Sequence, residues 1–475
     1  MGKSKLILLL FLISFGTIVL RSQSLTTRQV SSIETSLLKE MKEARIPGIA
    51  LAIINNNKIV YEKYFGVTNS VTETPLTDST IFQVASITKI FTSLALLTEL
   101  KKAKISVNEP IGDLIKGLST KLSQLTYHQL LTHTSGLIDY VPSSVDSKID
   151  AYTFFKIHGD SLLFAEPKTI FSYSNTGYAL VGLALETLCK KKYTVVIQDI
   201  IINPLKLTST TFDFNEVTQK SYSFGHIYDS DLKKMLPSLN NFEPHVIQPA
   251  AGIFSTIRDL EKLALCLMND GESDGKMVFD KEIIEKMSTR YAINFAVTGP
   301  SYEFQIYPDN AYGYGLVMYS YGRLRLSGHI GSGSQLTYFM YEPKRKFALI
   351  MISNRQADYP INTIKEIFKL VLNEKGSQLK MPFENKSEWA EITGNYVLHT
   401  LEPKNENSLE ISETEGMLYI RFINKEKVVM QQIGYLTYQF PESTLRFPFK
   451  IAFYPDKSGK VKYLRYQWRT WEKTK

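Results

Sequence analysis

The stretch 82-FQVASITKIFTSLALLTEL-100 sets Ser86 three residues before Lys89 at the head of a dense apolar run. The run reads as a buried helix, and an ammonium on the inner side of a helix is costly unless it is partnered. Residues three apart share a helical face, so Ser86 and Lys89 can approach each other. A serine hydroxyl is a poor nucleophile until a base takes its proton. Burial at the positive end of a helix disfavours the ammonium and turns the lysine toward that role. The same helix start aims backbone N–H groups at a developing oxyanion. Alone the S-x-x-K pattern is weak, because a lysine that snorkels to solvent would explain it equally well.

Two further segments strengthen it. In 167-PKTIFSYSNTGYALVGLALE-186, Tyr173, Ser174 and Asn175 immediately precede an apolar helix. A tyrosine can share a proton with the lysine, and an asparagine can bind a ligand amide. The plain alternative is a helix cap by Ser174 or Asn175. In 326-LSGHIGSGSQLTYFMYEP-343, His329 and Gly331 lie in a strand beside a glycine-rich turn. There Gly331 and Gly333 would admit a substrate backbone. The plain alternative is a hairpin with a surface histidine.

The order S-x-x-K, Y-x-N, H-x-G resembles the penicillin-recognising serine hydrolases, specifically the class C β-lactamase-like family, which includes D-alanyl carboxypeptidases, D-aminopeptidases and esterases. The segments PGIALAII, LLTHTSGL and QPAAGIFSTIRDL extend the likeness over roughly residues 30 to 370. The resemblance implies an α+β fold, an antiparallel sheet flanked by helices. It implies Ser86 as acylated nucleophile, Lys89 as general base, Tyr173 as proton relay and Asn175 as ligand-orienting residue. It implies an oxyanion hole from the backbone N–H groups of Ser86 and Ser332. Class C β-lactamases carry lysine where this chain has His329. A histidine, mostly neutral at pH 7, would hold a substrate carboxylate more weakly. That favours an ester, amide or D-amino-acid peptide, with a true β-lactamase and a slow penicillin-binding sensor as alternatives. His133–Gly136 reads as a supporting turn, and Ser255 or Thr256 as a helix cap.

At 475 residues the chain has room for two domains, and its net charge of +8 is spread without a basic run or nucleic-acid motif. Basic Lys3 and Lys5 precede the apolar Leu6–Leu20, fifteen residues, too short for a span of about 20. This reads as a secretory signal (residues 1–24) cut near Ser22–Ser24, giving an exported, periplasmic or extracellular protein with no stable membrane span after cleavage; the alternative is an uncleaved N-terminal anchor. Strands open and close residues 25–375, with helices between. A polar linker (376–387) leads to short alternating strands (388–475) that hold Trp389, Trp468 and Trp471. These strands resemble the small lipocalin-like β domains of some family members, and the tryptophans read as core. Cys189 and Cys266 read as buried free thiols; export would also allow one disulfide. With no metal-ligand pattern, no metal or cofactor is expected. The partner is a small molecule or peptide, peptidoglycan included.

Overall fold

The computed structural model describes residues 24–139, 149–238, 245–293, 311–355, 360–376, 386–400, 407–434, 436–440, 449–455, 458–466 and 469–474. The signal segment through residue 23, linker residues 377–385 and Trp468 lie outside them.

Helix α1 (Thr27–Glu43) opens with a capping box in which Thr26 and Gln29 satisfy each other's backbone N–H groups. Strands β1 (Gly48–Asn55) and β2 (Lys58–Asn69) follow, paired in register from Asn55 and Lys58. The two residues between, Asn56 and Asn57, both take positive φ (52° and 60°), as the tight hairpin demands. Helix α2 (Thr88–Ala103) carries Lys89 and has eleven of its sixteen residues buried, so it is a central element rather than an amphipathic cover. Helix α3 (Asn175–Cys189) packs against it, and helix α4 (Ile257–Met268) is capped by Thr256, whose side chain accepts from Asp259 N–H. Then come β3 (Val317–Tyr321), β4 (Leu324–Ser332), β5 (Leu336–Glu342), β6 (Phe347–Ser353) and helix α5 (Ile361–Leu372).

Among the described residues the main sheet has nine strands, ordered Ala292–Ile293, Ala311–Tyr312, β3, β4, β5, β6, β1, β2, Thr74–Pro75. The β1–β6 pairing, antiparallel with Ile49 opposite Ser353, joins the two ends of this region, as the sequence suggested. Alternation in β1 divides the cores. Ile49, Leu51 and Ile53 face α1 and α5, while Ala50, Ala52 and Ile54 face the layer holding α2 and α4. Cys266 is buried, Cys189 partly so, and the two are not bonded. Among the described residues no helix is long and apolar enough to cross a membrane.

The C-terminal region forms a second sheet of nine described strands. Its edge strands, Val428–Val429 and Gln431–Gly434, are separated in sequence only by Met430. A sheet whose two edges are consecutive in the chain must curl back on itself, and the result is a nearly closed barrel. Trp389 and Trp471 lie in its core. Of its strands β7 (Gly394–Val397), β8 (Val461–Tyr466) and β9 (Arg469–Lys473), β8 meets the sandwich through Tyr463, packed with Ala165 and Ile170, and β9 through Thr470, whose N–H donates to Ser172 Oγ (3.2 Å) and whose Oγ1–H donates to Phe171 O (2.8 Å).

The outer helices depend on one buried acid. Glu40 of α1 accepts from the N–H groups of Asn362 (3.0 Å) and Thr363 (2.9 Å) and from both their side chains, capping α5 from outside. Removing it strands the Thr363 donors in a buried site. Glu40→Ala is therefore expected to cost about 3 kcal/mol, read as a lower denaturant midpoint at unchanged slope.

Candidate active site

Ser86 sits in a 3₁₀ turn (Ala85–Ile87) that runs directly into α2. The turn is strained: Ala85 has φ +45°, a left-handed conformation that an L-residue adopts only under constraint. The constraint is visible. Thr88 Oγ1–H donates to Ala85 O (2.7 Å) and accepts from Ile253 N–H (3.1 Å), locking the turn to the segment that follows the short helix Gln248–Ala251.

Lys89 is fully buried. Its Nζ lies 2.6 Å from Asn175 Oδ1, 2.9 Å from Ala250 O and 3.2 Å from Ser86 Oγ. The first two can only accept, so they take two N–H bonds in any protonation state. The third direction faces the serine hydroxyl, which can accept from an ammonium or donate to the lone pair of a free amine. Burial is thus compensated, and the one interaction that changes with protonation points at Ser86. Nζ also lies over the rings of Tyr173 (4.7 Å) and Tyr178 (5.4 Å), which favours its cationic form.

The Tyr173 phenol and the Ser86 hydroxyl interact electrostatically. Burial pushes the phenol well above the ordinary range, the Ser86 hydroxyl pulls the other way, and Asp139 adds to the rise. Ser174, not Asn175, caps α3: its Oγ accepts from Gly177 N–H (3.1 Å) and its O–H donates to Ile138 O (2.8 Å). That frees the Asn175 side chain for the site. With Oδ1 on Lys89, its amide nitrogen is the group left for a ligand.

His133 takes φ +58° at the turn after the short helix Tyr127–Leu131 and lies 4.3 Å, ring to ring, from Tyr173. Its Nδ1 accepts from Ser174 N–H (3.0 Å), and burial, with the Lys89 charge, holds the ring neutral. It is a support for the tyrosine.

His329 is buried, with both nitrogens committed inside the protein. Nδ1–H donates to Ile330 O (2.7 Å), so Nε2 accepts from Tyr312 O–H (3.0 Å). Burial first, then the Lys89 charge, drops its pKa to about 3. Neither nitrogen is offered to a substrate in this arrangement, which corrects the expectation of a ligand contact there. Gly331 needs a second correction. A Cβ there would lie 2.2 Å from Val84 O, so the glycine makes room for the turn carrying Ser86 rather than for a substrate. Ser332 ends β4, opposite Leu336, and this strand packs along the Ser86 turn.

Residues without a sequence signal also enter. Ala250 contributes a carbonyl. Asp139, buried, accepts from Asn175 N–H (2.8 Å) and pairs with Arg469 of the barrel.

The contrast between two glycines is testable. Gly331→Ala forces the Ser86 turn to move and is expected to cost about 1–3 kcal/mol. At Gly333 a Cβ meets nothing closer than 3.7 Å, and Gly333→Ala is expected to leave the melting temperature unchanged. Thermal denaturation of both variants checks this.

The Beta-lactamase family profile matches residues 34–371. Protein flp of Staphylococcus aureus (strain NCTC 8325 / PS 47) is 23% identical over 361 residues, covering 74% of this chain and 68% of that protein. Among solved structures, the octameric penicillin-binding protein homologue from Pyrococcus abyssi has a TM-score of 0.64 at 25% identity, over 94% of this chain and 100% of its own. SurE with D-Leu has a TM-score of 0.69 at 17% identity, over 94% and 100%. With the family profile spanning the whole sandwich around Ser86 and these folds matching the sandwich and barrel together, the chain belongs to the Beta-lactamase family of hydrolases.

Proposed function

We propose that this protein is an exported serine hydrolase that acts through an acyl ester on Ser86, with an ester, amide or D-amino-acid peptide as substrate. The observation that carries the reading is the third direction of Lys89 Nζ: with two positions fixed on pure acceptors, a further one meets Ser86 Oγ, whose hydroxyl also lowers the pKa of the Tyr173 phenol.

The reaction has two halves. Ser86 Oγ attacks the acyl carbon as its proton passes to the Lys89–Tyr173 pair, which titrates as a unit. The backbone N–H groups of Ser86 and Ser332 receive the oxyanion, each contributing on the order of 3 kcal/mol. The bond to the leaving group breaks as Tyr173 returns the proton to it. Water then attacks the ester, gives its proton to the same pair, and Ser86 leaves with a proton restored. Asn175 orients the acyl amide through its free nitrogen.

Substrate class follows from charge. His329 is neutral at any physiological pH, so the H-x-G strand supplies no cation for a carboxylate. Neutral acyl donors therefore suit the site better than β-lactams, whose carboxylate needs one. SurE, whose structure is described with D-Leu, shares the fold, which makes D-amino-acid amides and peptides the first amide class to assay. The N-terminal segment, read as a secretory signal, supports a substrate outside the cytoplasm, with peptidoglycan peptides among its sources.

Ser86→Ala is expected to abolish both fluorophosphonate labelling and turnover of p-nitrophenyl esters, and Lys89→Ala and Tyr173→Phe to lower acylation at least a hundredfold. Labelling that persists in Ser86→Ala would end the proposal. A chromogenic β-lactam is expected to fall about 10- to 150-fold below a neutral ester in kcat/KM, the equivalent of losing a charged hydrogen bond of roughly 1.5–3 kcal/mol. A β-lactam turned over faster than any ester would make the protein a β-lactamase. A stable penicillin adduct without turnover would make it a sensor.

A further inference from the structure

We infer that the C-terminal barrel is part of the catalytic machinery, with Arg469 and Asp139 as positioning residues that hold and electrostatically set Tyr173. The inference rests on the serine hydrolase reading and adds a second domain to it.

The connection is a continuous chain of polar contacts. Arg469 donates to Asp139 Oδ2 through Nε (2.6 Å) and Nη2 (2.5 Å). Asp139 Oδ1 accepts from Asn175 N–H (2.8 Å), Asn175 Oδ1 accepts from Lys89, and Lys89 reaches Ser86. The next barrel residue, Thr470, bonds to Phe171 and Ser172. Barrel contacts therefore bracket Tyr173, directly on the N-terminal side and through Asp139 on the C-terminal side. Asp139 has only 2% of its side chain exposed, against 39% for Arg469. A carboxylate that deeply placed needs its cation. The cation comes from 330 residues away in the sequence.

The pair also faces the tyrosine electrostatically. His133, from the turn after Tyr127–Leu131, and His329, from β4, flank Tyr173 but are held neutral. Tyr178 of α3 and Tyr312 are uncharged phenols beside it. The charged groups that act on it are Lys89, over its ring, and Asp139 and Arg469, while the buried Arg465 of β8 lies over the neighbouring Phe171 ring (5.7 Å). Asp139 raises the phenol's pKa and Arg469 lowers it.

A brace that acted only by shape would respond alike to loss of either partner. A charge pair would not. The acid limb of kcat/KM reports removal of a proton from the Lys89–Tyr173 pair. Arg469→Met leaves the aspartate uncompensated, so the limb is expected to move to higher pH. Asp139→Asn keeps an oxygen for Asn175 N–H but removes the charge, so the limb is expected to move to lower pH. The double variant is expected to lie between them, and Arg469→Lys to restore the wild-type position in part. Shifts in one direction for both single variants, or no shift in either while Ser86-dependent turnover continues, would overturn the inference. Titration of Tyr173 itself, by fluorine NMR of the full-length protein carrying fluorotyrosine and assigned with Tyr173→Phe, gives the same test without turnover. Opposite displacements in a protein that hydrolyses nothing would uphold the electrostatic coupling and sink the hydrolase reading instead.

Discussion

The site depends on the saturation of one buried ammonium. Lys89 Nζ has three hydrogen-bond directions, and the fold fills two with oxygens that cannot donate, Asn175 Oδ1 and Ala250 O. This solves the energetic problem of burying the lysine, since a buried charge is tolerated only when its donors are met. It also solves the chemical one. With two bonds fixed, whatever changes at Nζ must change toward Ser86. The three groups come from α2, the head of α3 and the short helix Gln248–Ala251, so their convergence measures how closely the helical layer is packed.

Around that centre the other titratable groups are kept quiet. His133 and His329 are driven neutral by burial and by the Lys89 charge, and each is pinned to one tautomer by a partner that fixes its role: Ser174 N–H for the first, Ile330 O for the second. Neutral rings can pack against Tyr173 without competing for its proton. A charged residue at position 329 would instead add a second cation to the pocket. The substitution of histidine there therefore bears on more than substrate choice, because it leaves Lys89 as the dominant local charge.

Much of this was legible in the sequence, and the limits of legibility are physical. Ser86, Lys89, Tyr173 and Asn175 lie within a few residues of helix starts, where local spacing constrains geometry, and the structure brings them together. The hairpin at Asn56–Asn57 and the cap at Thr256 were readable for the same reason. His329 and Gly331 were readable as residues but not as roles. Whether a ring nitrogen meets Tyr312 or a ligand, and whether a glycine clears space for Val84 O or for a substrate, depends on which strand lies across the sheet. Ala250 contributes only a carbonyl, which carries no side-chain signature. Asp139 and Arg469 carry no local signal at all, because nothing in the neighbouring sequence announces a partner 330 residues away.

That long-range pair changes what the barrel is for. The barrel curls back on itself through Met430 and has its own core, with Trp389 and Trp471 inside it. Its polar contacts with the sandwich fall on Phe171, Ser172 and Asp139, the residues that flank Tyr173 and Asn175, beside an apolar patch of Ala165, Ile170 and Tyr463. Any ligand that alters the Arg469–Asp139 pair thus acts on the tyrosine's proton without entering the pocket around Ser86.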